Sequence, residues 1–400
     1  MGLFEINRDR YSKIMNDISA KVNTDPGPAA CSAESSMTCD APCSAEDSAP
    51  YGPAFAPTPI EFFGTVGGAE LYVKRDDLIP AAFGGNKVRI AAEVLAEMER
   101  RGSRALITYG SASSNLNRAA AIMAKTAGVK CYAIIKMEDA QNPDLTLGNA
   151  KTGAEIVWQH DARACADEVS ARIGETFNGR LLKASGAKIV PCTPDTVFET
   201  VSRVLKESAA KGENPFYIYG DAAGHGNEDL LAAAYRKVFR EITEQERRPF
   251  GHIFTAVGTG GTIRGLIEAC DEAHHITGIS IARPKEKILA GLAGLTGQAG
   301  FADHIVRTGP GGHNGPDGPA DGRFDITDDY LFGGYGKYND ELLAFIRQTV
   351  NEKNLPLDAT YTGKALFGTV REIKKRGLTG PVLFIHTGGT PLYYDMLEKG

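Results

Sequence analysis

The sequence predicts an α/β protein built on parallel sheets covered by helices. Three observations carry this. From residue 69 onward short β-rich runs alternate with helical periods, again and again. Such alternation is the mark of strand–helix–strand units with buried parallel strands. The chain has 400 residues, and at ~150 residues per domain it is long enough for two such sheets. Glycine is unusually frequent, 46 of 400, as expected where turns are tight and backbone approaches a ligand closely.

Residues 21–60 stand apart. Seven of the twenty prolines fall there, mixed with Ser, Ala and Cys. We read 1–56 as an N-terminal arm or linker. It ends at Pro57-Thr-Pro59-Ile-Glu-Phe-Phe63, whose apolar residues can anchor it. Strands are expected at 70–74, 105–109, 131–136, 154–158, 188–191, 216–219, 252–257, 277–282 and 382–385, short and rich in β-branched or aromatic residues. Helices are expected at 88–101, 115–127, 162–177, 196–211, 227–246, 262–274, 339–353, 364–376 and 391–398. In the first, Val88, Ala91, Leu95 and Met98 recur at helical spacing. Residues 309–322 are too rich in Gly, Pro and Asp for either element and read as a surface loop. Domains are expected at 57–89 with 201–400, the larger, and at 90–200, the smaller.

Composition narrows the function. Net charge is −6, from 44 basic and 50 acidic residues. This leaves no basic surplus for nucleic acid and no polybasic membrane patch. The N-terminal residues are too charged for a signal peptide, and Ile6 stands where a myristoylation motif needs Ser or Thr. A cytoplasmic location is expected, and scattered Cys131, Cys165, Cys192 and Cys270 suit reduced thiols. Cys31, Cys39 and Cys43 lack zinc-site spacing, so no metal site is expected.

Three segments carry chemistry. In Phe83-Gly-Gly-Asn-Lys-Val-Arg89 a lysine opens a helix, with Asn86 as the expected cap. The helix dipole and burial both disfavour the charged ammonium of Lys87. A neutral amine is what imine formation requires, although a surface lysine after a turn would read the same. Gly258-Thr-Gly-Gly-Thr262 follows a strand and opens a helix, where free amides receive phosphate. It lacks the spacing of a dinucleotide fingerprint or a P-loop, leaving a phosphate monoester or a plain tight turn. Gly110-Ser-Ala-Ser-Ser-Asn-Leu-Asn-Arg118 offers hydroxyls and loop amides to a carboxylate, or simple capping by Ser113 or Ser114. Tyr335 and Tyr361 are candidate acid/base hydroxyls.

Lysine, phosphate loop and carboxylate loop together suggest pyridoxal phosphate and an amino acid. With Val73-Lys-Arg-Asp-Asp-Leu78, Asp329-Tyr-Leu-Phe-Gly-Gly-Tyr-Gly336, Tyr361-Thr-Gly-Lys364 and Ile385-His-Thr-Gly-Gly389, in this order over about 57–395, the chain resembles the D-cysteine desulfhydrase / 1-aminocyclopropane-1-carboxylate (ACC) deaminase family. These are fold-type II pyridoxal-phosphate enzymes of the tryptophan-synthase β group, with two three-layer α/β domains and the cofactor between them. The resemblance implies roles. Lys87 matches the Schiff-base lysine and Asn115 the partner of the cofactor's phenolic oxygen. Gly258, Thr259, Gly260, Gly261 and Thr262 match the phosphate loop. Ser114 matches the serine that contacts the substrate carboxylate and takes part in proton transfer; Ser113, Asn115 and Leu116 are expected beside it in the substrate-binding loop, Leu116 standing where the family often has a polar residue. Tyr335 and Tyr361 match the two active-site tyrosines. Thr362 stands where ACC deaminases carry Glu and desulfhydrases Thr, facing the pyridine nitrogen. The implied activity is β-elimination from a small D- or L-amino acid to pyruvate and ammonia, by a homodimer. The alternatives are β-replacement, ACC deamination and, more remotely, a non-catalytic interaction role.

Overall fold

A computed structural model describes residues 55–137, 171–294 and 323–398. The arm before residue 55, the expected strand at 154–158 and the loop at 309–322 lie outside these residues.

The described chain forms two sheets. Six strands make the larger: β1 (Ile60–Val66), β2 (Ala69–Arg75), β7 (His252–Val257), β8 (His275–Ser280), β9 (Phe324–Thr327) and β10 (Gly380–His386). Their spatial order is β1-β2-β10-β7-β8-β9. Every neighbouring pair is parallel except the β1–β2 hairpin. The smaller sheet comprises β3 (Ala105–Gly110), β4 (Lys130–Lys136), β5 (Lys188–Cys192) and β6 (Pro215–Tyr217). Its order is β5-β4-β3-β6, all parallel. The strands expected from sequence at 277–282 and 216–219 begin earlier, at His275 and Pro215. Because β6 belongs to the small sheet, that sheet's chain runs to residue 217, beyond the boundary expected at 200.

Helices α1 (Asn86–Arg100), α2 (Asn115–Thr126), α3 (Phe177–Ala184), α4 (Val197–Ala210), α5 (Glu228–Gln245), α6 (Gly261–Ala269), α7 (Lys285–Gly294), α8 (Asp340–Lys353), α9 (Thr362–Arg376) and α10 (Thr390–Glu398) fill the connections. Buried β-branched and aromatic side chains of β2, β7, β8 and β10 pack with Leu342, Ile346, Leu366 and Ile373 of α8 and α9 in one apolar core. Desolvation of these side chains is the main favourable term of the fold. Helix α6 ends at Ala269, short of the expected 274, because Cys270 leaves helical geometry. Among the described residues no helix is long and apolar enough to cross a membrane.

Buried charges fix the start of α1. The ammonium of Lys74 donates to Thr58 O at 2.7 Å and to Glu241. Arg89 bridges Asp76 at 2.8 Å and Glu241 at 2.9 Å. Tyr235 donates to the other Asp76 oxygen at 2.6 Å. Charges buried in this way persist only when paired and hydrogen-bonded. The network clamps α1 between β2 and α5, two residues from Lys87.

Candidate active site

Parallel strands present their ligands at their carboxyl ends, and segments that follow β2, β3, β6, β7, β8 and β10 converge here. After β2, the turn Gly84-Gly85 delivers α1. Gly85 is its N-cap, at φ +94°, and a Cβ there would meet Thr387 O at 2.7 Å. The sequence expectation that Asn86 caps this helix is therefore corrected. Asn86 is the first helical residue. Its backbone N–H donates to Thr387 O at 2.9 Å and its Nδ2 to Thr262 Oγ1 at 2.9 Å. It thus ties the lysine helix to β10 and to the loop at 258–262.

One cavity of about 340 Å³ lies at this convergence. Lys87, Ser114, Asn115, Leu116, all of 258–262, Tyr335 and Tyr361 line it. Ser113 and Thr362 are not among its lining residues. Ser113 Oγ instead pairs with Ser111 Oγ at 3.2 Å. Thr362 is buried, and its hydroxyl donates to Asp358 Oδ2 at 2.7 Å. Thr387, in the segment 385–389 singled out from the sequence, also lines the cavity, and sequence reasoning missed Tyr109, Tyr219 and Arg283, which line it too. Tyr109 and Tyr219 close strand runs at the same carboxyl edge, a signal the sequence did carry.

Lys87 has no hydrogen-bond or ion-pair partner among the described residues. Burial pushes its ammonium down to about 8, since no anion offsets the loss of water. Ser114 caps α2, accepting from Asn117 N at 3.2 Å, so the capping alternative holds for it while its residue still lines the cavity. Tyr361 donates to Tyr335 Oη at 3.2 Å. Burial, and then the neighbouring Tyr335 oxygen, hold its phenol well above the usual range. Tyr361 therefore stays a neutral donor, and the proton of half-exposed Tyr335 is not committed to Tyr361.

The loop at 258–262 has the shape of an anion cradle. Gly260 caps α6 in the left-handed region, at φ +99°. A Cβ on Gly260 would meet Leu292 at 3.3 Å, whereas one on Gly261 would enter open space. The close approach of a ligand is therefore served by Gly261, and Gly260 serves the turn. A phosphate on these amides, an unpartnered amine at Lys87 and a donor at Asn115 fit pyridoxal phosphate. Gly261→Val is expected to weaken cofactor binding about tenfold or more, with the thermal melt of the apoprotein unchanged. Equilibrium titration with the cofactor measures this.

The D-cysteine desulfhydrases of Salmonella typhi and Salmonella paratyphi A are each 29% identical to this chain over 353 residues, 85% of this chain and 93% of theirs. A crystal structure of an ACC deaminase homologue superposes with a TM-score of 0.62 at 24% identity. It covers 86% of this chain and 94% of its own, and establishes the shared fold. A family model described as pyridoxal-phosphate dependent enzyme matches residues 52–388, a span that holds both sheets and every cavity-lining residue but Gly389. The chain belongs to the pyridoxal-phosphate dependent enzymes.

Proposed function

We propose that this protein is a carbon–sulfur lyase that removes a β-substituent such as thiolate from a small amino acid, releasing pyruvate and ammonia. The observation that carries the reading is the presence of an unpartnered lysine and a tyrosine dyad in the lining of one cavity. That gives one group to take a proton and another to give one. The desulfhydrase relatives at 29% identity support the same reaction class.

Bound pyridoxal phosphate supplies the electron sink that makes an α-carbanion accessible. The chain's own residues do the rest. The loop amides and hydroxyls at 111–116 receive the substrate carboxylate and orient the α-carbon. Lys87 Nζ takes the α-proton and holds it. Tyr335 Oη gives its proton to the departing β-group, and Tyr361 Oη fixes Tyr335 by donating to it. The apolar side chains of Leu116, Ile90 and Ile263 exclude water from the reacting atoms. A homodimer in the cytoplasm completes this reading.

A screen of D- and L-amino acids with β-thiol, β-chloro and β-acyloxy substituents, read as pyruvate release, tests it. Pyruvate from none of them overturns it. Accumulation of a substituted amino acid on adding thiol or sulfide would favour β-replacement instead. Within this reading, Tyr335→Phe is expected to lower kcat by about 10²-fold or more, the usual contribution of a positioned acid. Tyr361→Phe should cost about 10-fold, since it removes only an orienting bond. Steady-state kinetics of the two variants check this order.

A further inference from the structure

We propose that Asn178, a residue outside the cavity lining, is the positioning residue that decides which end of the Asn115 amide faces the bound cofactor. The proposal rests on the reading of this cavity as the cofactor site.

Asn178 is fully buried in the first turn of α3. Its Nδ2 lies 2.7 Å from Ser113 O and 2.9 Å from Asn115 Oδ1. The orientation of an asparagine amide is usually an assignment, but here the backbone decides it. The Ser113 carbonyl can only accept, so the Asn178 atom beside it must be the amide nitrogen. That nitrogen then requires an acceptor from Asn115. The Asn115 oxygen is therefore turned toward α3, and its NH₂ is the end left for the cavity that Asn115 lines. A reversed Asn115 would set NH₂ against NH₂ and bury an unpaired donor, a strongly penalised arrangement.

Two further observations point to a role beyond packing. Asn178 Oδ1 is buried with no hydrogen-bond partner among the described residues. The side chain carries that penalty in order to place its two donors on Ser113 O and Asn115 Oδ1. The start of α3 also acts as a brace for the whole loop. Thr176 caps the helix through Gly179 N at 3.0 Å and donates to Ala112 O at 3.4 Å. Phe177 N in turn donates to Asp395 Oδ1 of α10 at 2.6 Å. The α3 turn thus holds successive carbonyls of the 111–115 loop while anchored to the C-terminal helix.

A donor fixed by Asn115 favours an ionised oxygen on the cofactor ring, and an amide free to turn does not. The test is the pH titration of the visible absorbance of the cofactor-loaded protein. It is run on wild type, Asn178→Leu, Asn115→Ala and the double variant, with Asn178→Ala as a second substitution should leucine fail to fold. Asn178→Leu is expected to move the spectral midpoint by about one pH unit. In the Asn115→Ala background the same change should add almost nothing, since the two act as one unit. A merely structural Asn178 would lower the melting temperature and leave the titration unmoved. An unmoved midpoint, or an equal shift in both backgrounds, overturns the proposal alone. Wild-type protein that takes up no cofactor overturns the functional reading, and this proposal with it.

Discussion

Lys87→Ala is expected to abolish covalent attachment of the cofactor and to lower pyruvate release by at least roughly 10³-fold. Three deeply placed lysines compete for this role, and their surroundings separate them. Lys74 is saturated by Thr58 O, Glu241 and Gln245. Lys364 donates to Ile281 O at 3.0 Å, Leu331 O at 2.7 Å and Gly334 O at 2.6 Å. An ammonium has three donors, so both are fully engaged. The pKa of Lys364 is also lowered to about 8 by burial, so low basicity alone does not distinguish it from Lys87. The absence of partners does. With Lys87 lowered to about 8, about a quarter of it is the neutral amine at pH 7.5, against about 0.1% for an ordinary lysine. Borohydride reduction followed by peptide mapping should place the label on the peptide containing Lys87. A label on the Lys74 or Lys364 peptide would sink the assignment. The thermal melt of the Lys87→Ala apoprotein should be close to wild type or above it, because no hydrogen bond is lost and a buried ammonium is removed.

The segments that carry the cavity were legible because each joins a strand end to a helix start, and their glycines and small polar residues have few other uses. Strand β1 was not. It is an edge strand, largely exposed, with a register shift between Phe62 and Gly64, so alternation is broken and its apolar residues looked like the end of the arm. Strand β9 has only four residues. Helix α3 has eight and contains Gly179, too short for a periodic signal to emerge. The misassigned cap at Asn86 has a local cause: a glycine at φ +94° supplies the break that a polar cap usually supplies. Asn178 was out of reach altogether. Its partners at 113 and 115 lie more than sixty residues away in sequence, and no local pattern relates an isolated asparagine to a loop that distant.

Residue 362 shows a different gap. The family resemblance compares one position, Thr against Glu, and reads a missing carboxylate. The structure puts a carboxylate there by another route. Asp358 is buried four residues earlier, before α9 begins. It accepts from Thr360 N at 2.8 Å, Tyr361 N at 2.6 Å, Thr362 N at 3.0 Å and Thr362 Oγ1 at 2.7 Å. The i, i+4 spacing of Asp358 and Thr362 was visible in the sequence, but burial of the aspartate was not. The hydroxyl of Thr362 is thus committed to Asp358, which changes what Thr362→Glu should do. The substitution removes one donor from Asp358 and sets a second carboxyl against it in a buried site. Two such groups cannot both ionise cheaply, so one of them should hold its proton well above the usual carboxylate range. A folded-state pKa above the unfolded value means that the folded protein binds the extra proton. Stability is then fully present below about pH 4 and declines as pH rises toward the raised pKa, by about 1.4 kcal/mol per pH unit. Burial already raises Asp358 in the wild type, so the comparison must be with Thr362→Val, which removes the same donor without adding charge. Thermal melts of the three apoproteins from pH 5 to pH 8 measure the difference. The Val variant should lie below wild type by a margin that widens with pH, because it removes a donor that favours ionised Asp358, and the Glu variant should lose melting temperature with rising pH more steeply still. Parallel curves for Glu and Val would mean that residue 362 turns away from Asp358 into the cavity, and would restore it as a direct neighbour of the cofactor ring.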